Sequence, residues 1–586
     1  MKVLLVGINS SYVHTCLAIR SIKNYVEFFA KKENQDFFID FIEFTINQPI
    51  MEIFKSIFCD SPDVLLFSTY IWNGPLIEKI ISEIKKILPS VLIGAGGPEF
   101  SYGWKKYFNN LSSLDFIMFG EGEKNTYELL KDMNLYKKNN PLQNYFLQDK
   151  QYVSGIYYKK NNEIIFTGLN PLIKDLDSIP FSYPELLSNN YDADNKIYYY
   201  ESSRGCPYSC SYCLSSVDKQ VRFKSIEKVF TELDYFLKAN VKLVKFVDRT
   251  YNLNPERYIK IWQYILKNHN QKTMFHFEIE AEYLSKEALE FLQTVPYGIM
   301  QFEIGVQTAN KKALKAINRS TNIEILAENI KQIPRTIHQH LDLIAGLPFE
   351  DLDSFGKSFD FVMELKPDAL QLGFLKVLSG TQMEKYATEN GWKYQENPVY
   401  EVFSTPYLTF QEISFLKEIE VLVDAFWNKN IFSNTMKFIF RKVSPWTFFY
   451  NLCIFAKSKN SFQAARKELY WFQLLNDFIE KGFVVPENSH NEELLEKFQD
   501  DYFLVLYNLL KYDFVLTGKK GNFPNWYIHH YNKEKHRILL EENKMLHSTR
   551  LAFALSEFET FDFDVKSEEP EKYKGCFEYL IQYKTN

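Results

Sequence analysis

The beginning of the chain alternates short apolar runs with amphipathic stretches. Apolar runs with the length of buried strands lie at residues 2–6, 38–43, 64–68, 91–94 and 116–119. Segments with helical periodicity separate them, for example residues 18–29 and 75–88. Strands that alternate with helices predict a parallel, doubly wound (Rossmann-like) sheet, which binds ligands beyond the carboxyl ends of its strands.

A second series of alternating strands and helices begins near residue 195 and continues to about residue 400. Its apolar runs lie at residues 197–201, 243–248, 274–281, 300–306, 340–344 and 369–376. Six strand–helix units in succession predict an open, partial (β/α)6 barrel. Its chemistry is again expected at the carboxyl ends of the strands.

These patterns predict an α/β protein in four parts. The parts are residues 1–135 (Rossmann-like domain), 136–194 (linker with a hairpin), 195–405 (barrel) and 406–586 (mainly helical C-terminal domain). Within the last part, short strands are expected at residues 513–516 and 526–529. No catalytic motif is evident there.

Composition narrows the class of protein. The chain has 586 residues and a net charge of −6, which gives no electrostatic reason to expect nucleic acid as a partner. No run approaches the length of a membrane span. Seven cysteines are too few for a disulfide framework, so we expect a protein of the reducing cytoplasm.

Three of the cysteines form one compact motif, Cys206-Pro-Tyr-Ser-Cys210-Ser-Tyr-Cys213. Thiolates favour zinc or iron–sulfur centres, and zinc usually takes four protein ligands in two pairs. No second pair lies near by, so a 4Fe–4S cluster with one open iron is the first interpretation and zinc the second. Three structural cysteines on one helical face are a third, but Gly205 and Pro207 predict a loop.

The motif, preceded by Ser-Arg-Gly and with Tyr212 before the last cysteine, closely resembles the signature of radical S-adenosylmethionine (SAM) enzymes. In that family the open iron binds the amino and carboxylate groups of SAM. The reduced cluster then cleaves SAM to a 5′-deoxyadenosyl radical. The resemblance implies an external reductant such as flavodoxin or ferredoxin.

Further motifs of this family resemble segments at successive strand ends of the predicted barrel. The candidate cofactor-binding residues are Asp248, Glu280, Glu303, Gln307, Arg319 and Asp342. Glu280 can accept from an ammonium group, Arg319 can fork onto a carboxylate, and Gln307 or Asp342 can bind a ribose. The family's glycine-rich motif after the second strand is missing. An Asp248-containing variant, which resembles that of cobalamin-linked members, stands in its place.

A doubly wound domain ahead of such a barrel resembles the cobalamin-binding domain of cobalamin-linked radical SAM proteins. The loops that carry the likeness supply Asn9, His14, Gly96, Gly97 and Glu121 as candidate contacts. The DxHxxG motif is absent, so the usual histidine ligand to cobalt is missing and His14 is expected to be a loop residue. The alternative is a flavodoxin-like domain that has lost its ligand or binds another nucleotide.

The resemblance implies a radical SAM enzyme that uses cobalamin for methyl transfer or another C–H functionalisation of a small-molecule or macromolecular substrate. One alternative is a cobalamin-free radical SAM enzyme, for example one that modifies RNA. This would need a basic nucleic-acid domain, and none is evident. Another is a non-catalytic iron–sulfur redox sensor, which the succession of SAM-like motifs disfavours.

Overall fold

The computed structural model describes residues 1–161, 163–187, 195–483, 501–519, 523–542 and 556–582. Two sheets dominate it. The first lies within residues 2–166 and is mostly parallel, and the second lies within residues 197–374 and is wholly parallel. A mainly helical part follows them. The predicted α/β class, with a Rossmann-like sheet, a partial barrel and a helical C-terminal part, is confirmed.

The first sheet has seven strands in the order β2-β1-β3-β4-β5-β6-β7, and its first five strands are parallel. Helices cover both faces, so β1, β3 and β4 are almost wholly apolar and buried. The predicted hairpin, β6 and β7, pairs antiparallel with β5 and extends this sheet.

The bounds of these strands are Lys2–Asn9 (β1), Phe38–Thr45 (β2), Val64–Ser68 (β3), Leu92–Gly96 (β4), Phe116–Met118 (β5), Ile156–Lys160 (β6) and Glu163–Phe166 (β7). The helices of this part are Leu17–Lys32 (α1), Ile50–Asp60 (α2), Gly74–Ile84 (α3), Pro98–Tyr102 (α4), Trp104–Asn110 (α5) and Gly122–Lys137 (α6).

The second sheet is an open barrel of six parallel strands in the order β15-β14-β13-β12-β11-β8. Its strands are Ile197–Tyr200 (β8), Leu243–Phe246 (β11), Met274–Ile279 (β12), Met300–Gln307 (β13), His338–Ala345 (β14) and Ala369–Phe374 (β15). A separate short antiparallel pair, Ser203–Arg204 (β9) and Arg222–Phe223 (β10), lies after β8. The barrel helices are Ile226–Lys238 (α7), Pro255–Asn268 (α8), Lys286–Leu292 (α9), Lys311–Ala316 (α10), Ile323–Gln332 (α11) and Leu352–Glu364 (α12).

The inner face of this barrel is polar, because side chains alternate between the two faces of a strand. On β13 and β14 the outward residues, such as Phe302 and Leu341, are fully buried under the helices. The inward residues include Glu303, His340 and Asp342, which are only partly buried. The barrel therefore holds ionisable groups in its interior.

The remaining chain is mainly helical, as predicted. Its helices are Gln382–Glu389 (α13), Phe410–Val423 (α14), Ser433–Ile439 (α15), Pro445–Ser458 (α16), Glu468–Glu480 (α17), Tyr502–Leu516 (α18) and Lys533–Glu542 (α19). Its strands are Lys393–Tyr394 (β16), Val402–Ser404 (β17), Ser556–Phe563 (β18) and Lys574–Gln582 (β19). None of the helices within the described ranges has the length and apolar character needed to cross a bilayer.

Both short strands expected in the C-terminal part were wrong. Residues 513–516 end the helix α18, whose apolar residues face the core on nearly all sides and so show no helical periodicity. The buried Asp513 accepts hydrogen bonds from Asn434 and Thr435, which ties α18 to α15. Residues 526–529 form a turn and an irregular segment without strand pairing.

Candidate functional site

The three cysteines lie on one loop that follows β8. The loop turns at Gly205, whose φ is +96° and whose Cβ position would lie 2.4 Å from the carbonyl oxygen of Gln220, so only glycine fits. The amide of Cys206 donates to the Asp218 carbonyl at 2.9 Å. Cys206 and Cys210 are buried and Cys213 is half-buried. We name residues 201–218 the cysteine loop.

Asp248, from the loop after β11, holds the base of the cysteine loop. Its carboxylate accepts from the backbone amide of Ser202 at 2.9 Å and from the hydroxyls of Ser202 and Ser203 at 2.6 Å each. Burial raises the pKa of Asp248, and these hydrogen bonds oppose the rise. The three contacts occupy the carboxylate, so the described geometry fits a positioning role for Asp248.

Throughout the described ranges, no group of three or more His, Cys, Asp or Glu side chains is arranged so that it could hold a metal ion. A single tetrahedral zinc draws its thiolates to about 2.3 Å from one centre, whereas a cubane binds each thiolate on a separate iron.

Beside Cys210, Arg319 meets residues from two strand ends. Its Nη2 donates to Glu280 Oε2 at 2.6 Å and to the carbonyl of Gly305 at 2.6 Å. Arg319 also contacts the Cys210 thiol, whose pKa is nevertheless raised by burial. Tyr212 packs half-buried against the barrel core, and Arg319 acts to lower its pKa, which burial raises.

In the ion pair of Glu280 with Arg319, two buried atoms lack a hydrogen-bond partner: Glu280 Oε1 and Arg319 Nε. An orphaned buried polar atom costs free energy of about 1–3 kcal/mol, so such atoms point to a missing partner. An acceptor next to a donor complements the ammonium and carboxylate groups of an amino acid. The residues therefore fit the amino-acid end of SAM.

Gln307, the last residue of β13, and Asp342, within β14, lie next to the Glu280–Arg319 pair. Gly305 pairs with Asp342 in the sheet, and its Cβ position would lie 2.2 Å from Gln307 Nε2. Asp342 Oδ1 is also buried without a hydrogen bond. Burial, and after it the charges of Glu303 and Glu278, raise the pKa of Asp342 to about 8. The structure thus brings Glu280, Gln307, Arg319 and Asp342 together.

Glu303 lies deeper in the barrel and is already paired. Its Oε2 contacts Lys245 Nζ at 2.8 Å and His276 Nε2 at 2.9 Å. Burial opposes ionisation, but the hydrogen bond from His276 and the charge of Lys245 together hold the pKa of Glu303 at about 2. Glu303 is therefore part of an ion network on the barrel's inner face, a network that the sequence motif did not indicate.

A cavity of about 980 Å³ lies between the first sheet and the barrel. Three walls enclose it: loops at the carboxyl ends of β1, β3 and β5, the connecting segment of residues 169–183, and the barrel with the cysteine loop. Its size is at the upper end of small-molecule sites. The carboxyl-end loops of the two sheets thus face one another across a shared space.

Asn9 and His14 both line the cavity and are both held by other side chains. Asn9 Nδ2 donates to Glu43 Oε2 at 2.7 Å and to the carbonyl of His14 at 2.9 Å. His14 Nδ1 lies 2.7 Å from the hydroxyl of Tyr199 on the barrel. Burial, and after it the charges of Lys245 and Lys196, lower the pKa of His14. His14 therefore contacts the barrel from the first domain, and its lowered pKa favours the neutral imidazole.

Gly96 and Gly97 are not among the residues that line the cavity. Gly97 has a φ of +101°, and its Cβ position would lie 2.5 Å from the carbonyl oxygen of Thr69, so this glycine allows close packing inside the domain. Helix α4, which follows them, places Tyr102 on the cavity and Glu99 against the segment after β15. There Glu99 accepts hydrogen bonds from Tyr107 and Tyr400.

Glu121 and its neighbour Glu123 connect the first domain to the cysteine loop. Glu121 Oε1 lies 2.7 Å from Arg222 Nη1, and Glu121 Oε2 accepts from the amide of Ile173 at 2.7 Å. Glu123 Oε1 accepts from Arg204 Nη2 at 2.7 Å. Glu121 is a contact that the sequence predicts, whereas the ion pair of Glu123 with Arg204 was not predicted.

Three family models match the chain. Residues 3–130 match the B12 binding domain, residues 200–362 match the radical SAM superfamily, and residues 388–577 match a protein family of unknown function, DUF4080. The first two matches favour the cobalamin-linked interpretation over the cobalamin-free enzyme and over the redox sensor.

Individual relatives are distant. The chain is 24% identical over 347 residues to "Uncharacterized methyltransferase PH0819" of Pyrococcus horikoshii, which covers 58% of this chain and 72% of that protein. It is 25% identical over 347 residues to "Cobalamin-dependent radical SAM methyltransferase TokK" of Streptomyces tokunonensis, which covers 54% of this chain and 46% of TokK. The chain thus spans about half the length of TokK.

A solved structure has a similar fold. The radical SAM methyltransferase TsrM of Kitasatospora setae, with cobalamin and a [4Fe-4S] cluster bound, superposes with a TM-score of 0.53 at 15% identity. The superposition covers 68% of this chain and 78% of that chain. At this identity the likeness is one of fold.

Proposed function

Because this chain is a radical SAM protein with a cobalamin-binding domain before its barrel and a C-terminal domain of unknown function, we propose that it transfers a methyl group from SAM to a carbon atom of its substrate. The observation that carries the proposal is the cavity of about 980 Å³ between the two domains. A methyl carrier in one domain and a radical source in the other can act on the same substrate only if both domains line the same cavity.

The two domains imply a 4Fe–4S cluster, SAM and cobalamin. When bound, the cluster supplies the electron that cleaves SAM, and cobalamin carries the methyl group. We assign Cys206, Cys210 and Cys213 to hold the cluster. Glu280 and Arg319 would bind the ammonium and carboxylate of SAM through the two atoms that now lack partners. Gln307 and Asp342 would bind its ribose.

The first-domain wall of the cavity fits a flat macrocycle. Tyr70 and Trp72 stack with ring centroids 4.3 Å apart, and Tyr102 and Phe119 line the same cavity. Aromatic faces pack well against a planar conjugated ring. The DxHxxG motif that supplies the usual histidine ligand is absent from the sequence, so we propose that cobalamin binds without a protein histidine on cobalt. Asn9 and Glu121 would contact its edge. The contacts expected for Gly96 and Gly97 have no support from the cavity.

A radical SAM enzyme needs an electron donor and a substrate. We propose a small acidic electron carrier, flavodoxin or ferredoxin, as the donor. We also propose the cytoplasm as the location, since a thiolate-held cluster with an open iron requires a reducing compartment.

The experiment that tests the function is anaerobic reconstitution with iron, sulfide and hydroxocobalamin, followed by reaction with SAM and a reductant. We expect about four irons and one cobalamin per chain, and two products of SAM, S-adenosylhomocysteine and 5′-deoxyadenosine. Reconstituted Cys210→Ala protein is the matched control and should form neither. If micromolar cobalamin does not bind, the methyl-transfer proposal fails while the cluster assignment stands.

A further inference from the structure

The basic side chains that line the cavity differ in whether they have acidic partners. Four of them are Arg204, Lys224, Lys245 and Arg249. Arg204 Nη2 lies 2.7 Å from Glu123 and 2.7 Å from Glu201. Lys224 lies 2.7 Å from Glu232, and Lys245 lies 2.8 Å from Glu303. These three cations are therefore neutralised within the protein.

Arg249 is the exception among these four. It follows Asp248 in the loop after β11, is exposed, and lines the cavity. Within the part of the chain that the structure describes, no carboxylate lies within 4.0 Å of its guanidinium, and the side chain makes no hydrogen bond. Burial raises the pKa of Glu278 and of Tyr70, and the charge of Arg249 opposes both shifts, as expected for a residue near β12 and the first-domain loop after β3.

Arg249 is distinct from the residues proposed to bind SAM and cobalamin. Arg319 and Glu280, which match the amino-acid end of SAM, are not among the residues that line the cavity. The flat aromatic wall of Tyr70 and Trp72 belongs to the opposite domain. Arg249 therefore faces the space that is left for the substrate.

We propose that Arg249 binds a carboxylate group of the substrate. A guanidinium presents a planar fork of donors that matches a carboxylate with two parallel hydrogen bonds. A free fork facing a partly enclosed cavity selects an anion, since each charge-assisted hydrogen bond contributes about 1.5–3 kcal/mol. This inference rests on the proposed function, because it names the substrate class of the same cavity.

The test uses the holoprotein and phenylglyoxal, a reagent that modifies accessible arginines. We expect Arg249 to be modified, and Arg204 to be protected by its buried ion pairs, as read by peptide mass spectrometry. Benzoate should slow the modification of Arg249 about tenfold, whereas benzamide, its neutral isostere, should leave the rate unchanged. Equal protection by both compounds, or by neither, would overturn the proposal.

A second arm identifies the source of the anion, since the nucleotide tail of cobalamin carries a phosphodiester. Cobinamide lacks that tail. If cobalamin protects Arg249 and cobinamide does not, the anion belongs to the cofactor and the proposal for the substrate fails. If Arg249 remains equally reactive with either corrinoid and benzoate protects it, the proposal is supported.

Arg249→Gln separates this inference from the proposed function. The variant should keep its cluster and its affinity for cobalamin and SAM, and should bind benzoate at least about tenfold more weakly than the unmodified protein, with Arg335→Gln on the outer barrel surface as control. Unchanged benzoate affinity overturns the assignment of Arg249. A protein that binds benzoate through Arg249 but forms no S-adenosylhomocysteine with any carboxylate tested would instead contradict methyl transfer.

Discussion

Arg204 and Glu123 form an ion pair of 2.7 Å across the boundary between the two domains. Arg204 lies two residues before Cys206, and Glu123 lies in the first turn of α6 at the carboxyl edge of the first sheet. Glu201 completes the arrangement at 2.7 Å from the same guanidinium nitrogen. The cysteine loop is therefore fixed to the first domain as well as to its own barrel.

Glu123→Gln should destabilise the protein, because it leaves the buried Arg204 with one fewer charged partner. Removing one partner of a buried pair costs about 3–5 kcal/mol, and the loss here should lie at the lower end since Glu201 remains. Urea unfolding of the full chain measures it. Glu163→Gln, at an exposed position on β7, is the matched control and should change little. Equal unfolding midpoints for both variants would contradict a structural role for the pair.

The same pair predicts a pH dependence. Burial opposes ionisation, but the charge of Arg204 and its hydrogen bond hold the pKa of Glu123 at about 2. Because this folded-state pKa lies below the unfolded value of about 4.3, the stabilisation is present above that value and is lost as pH falls towards 2. Comparing unfolding of the wild type and Glu123→Gln at pH 6 and pH 3.5 tests this. The two proteins should differ less at the lower pH.

Arg319→Lys should weaken SAM binding about 10- to 100-fold, because an ammonium replaces the planar fork that spans Glu280, Gly305 and a carboxylate. Equilibrium dialysis of the reconstituted protein with labelled SAM measures the change. Arg335→Lys is the control, because the guanidinium of Arg335 donates to the backbone carbonyl of Lys366 on the outer surface. SAM affinity that survives Arg319→Lys unaltered would refute the assignment.

Replacement of Cys206, Cys210 or Cys213 by alanine should abolish iron binding and SAM cleavage, since each thiolate is expected to hold a different iron. Iron analysis and visible absorbance after anaerobic reconstitution give the result. Cys59→Ala, at an exposed position in α2, should retain both properties. Tight zinc without iron in the wild type would exclude the cluster.

The raised pKa of Asp342 predicts that its contribution to the free energy of unfolding changes with pH in the opposite direction to that of Glu123. Its pKa of about 8 lies above the unfolded value of about 3.9, so the protein binds more protons when folded and loses stability as pH rises between these values. Asp342→Asn should flatten this part of the profile. Unfolding midpoints at pH 5 and pH 8 measure it, with the exposed Asp353→Asn as control. Parallel profiles for Asp342→Asn and wild type would refute the shifted pKa.

His14→Ala should leave the visible spectrum of bound cobalamin unchanged, because the motif that carries the usual cobalt-ligating histidine is absent and His14 is not expected to ligate cobalt. Hydroxocobalamin is titrated into wild type and variant, and the spectra are compared. A shift of the cobalt bands that occurs only in the variant would identify His14 as a ligand after all.

The sequence predicts best what depends on short spacing or on the order of elements. The cysteine motif spans eight positions, and the residues around Arg319 could be located because they lie on or directly after successive barrel strands. Periodicity failed at residues 513–516, where a helix buried on nearly all sides has the same apolar run as a strand.

Contacts between domains could not be predicted in this way. Arg204 and Glu123 are 81 positions apart, and His14 and Tyr199 are 185 apart, so their pairing depends on how two folded bodies dock. Gly97 presents a different difficulty, since its φ and its packing against Thr69, in the same domain, serve the interior of that domain. A glycine-rich loop at a strand end indicates that some group approaches the backbone closely, but it does not show whether that group is a ligand or another part of the protein.

The connecting segment of residues 169–183 is one of the three walls of the cavity. It is fixed on both sides, since the amide of Ile173 donates to Glu121 and its carbonyl accepts from Arg222, while the hydroxyl of Tyr183 donates to the carbonyl of Tyr199. Neither domain can therefore be replaced without regard to the connecting segment. A chimera that grafts a foreign first domain onto this barrel must carry a matching connector with it, or the reaction chamber will be open on one side.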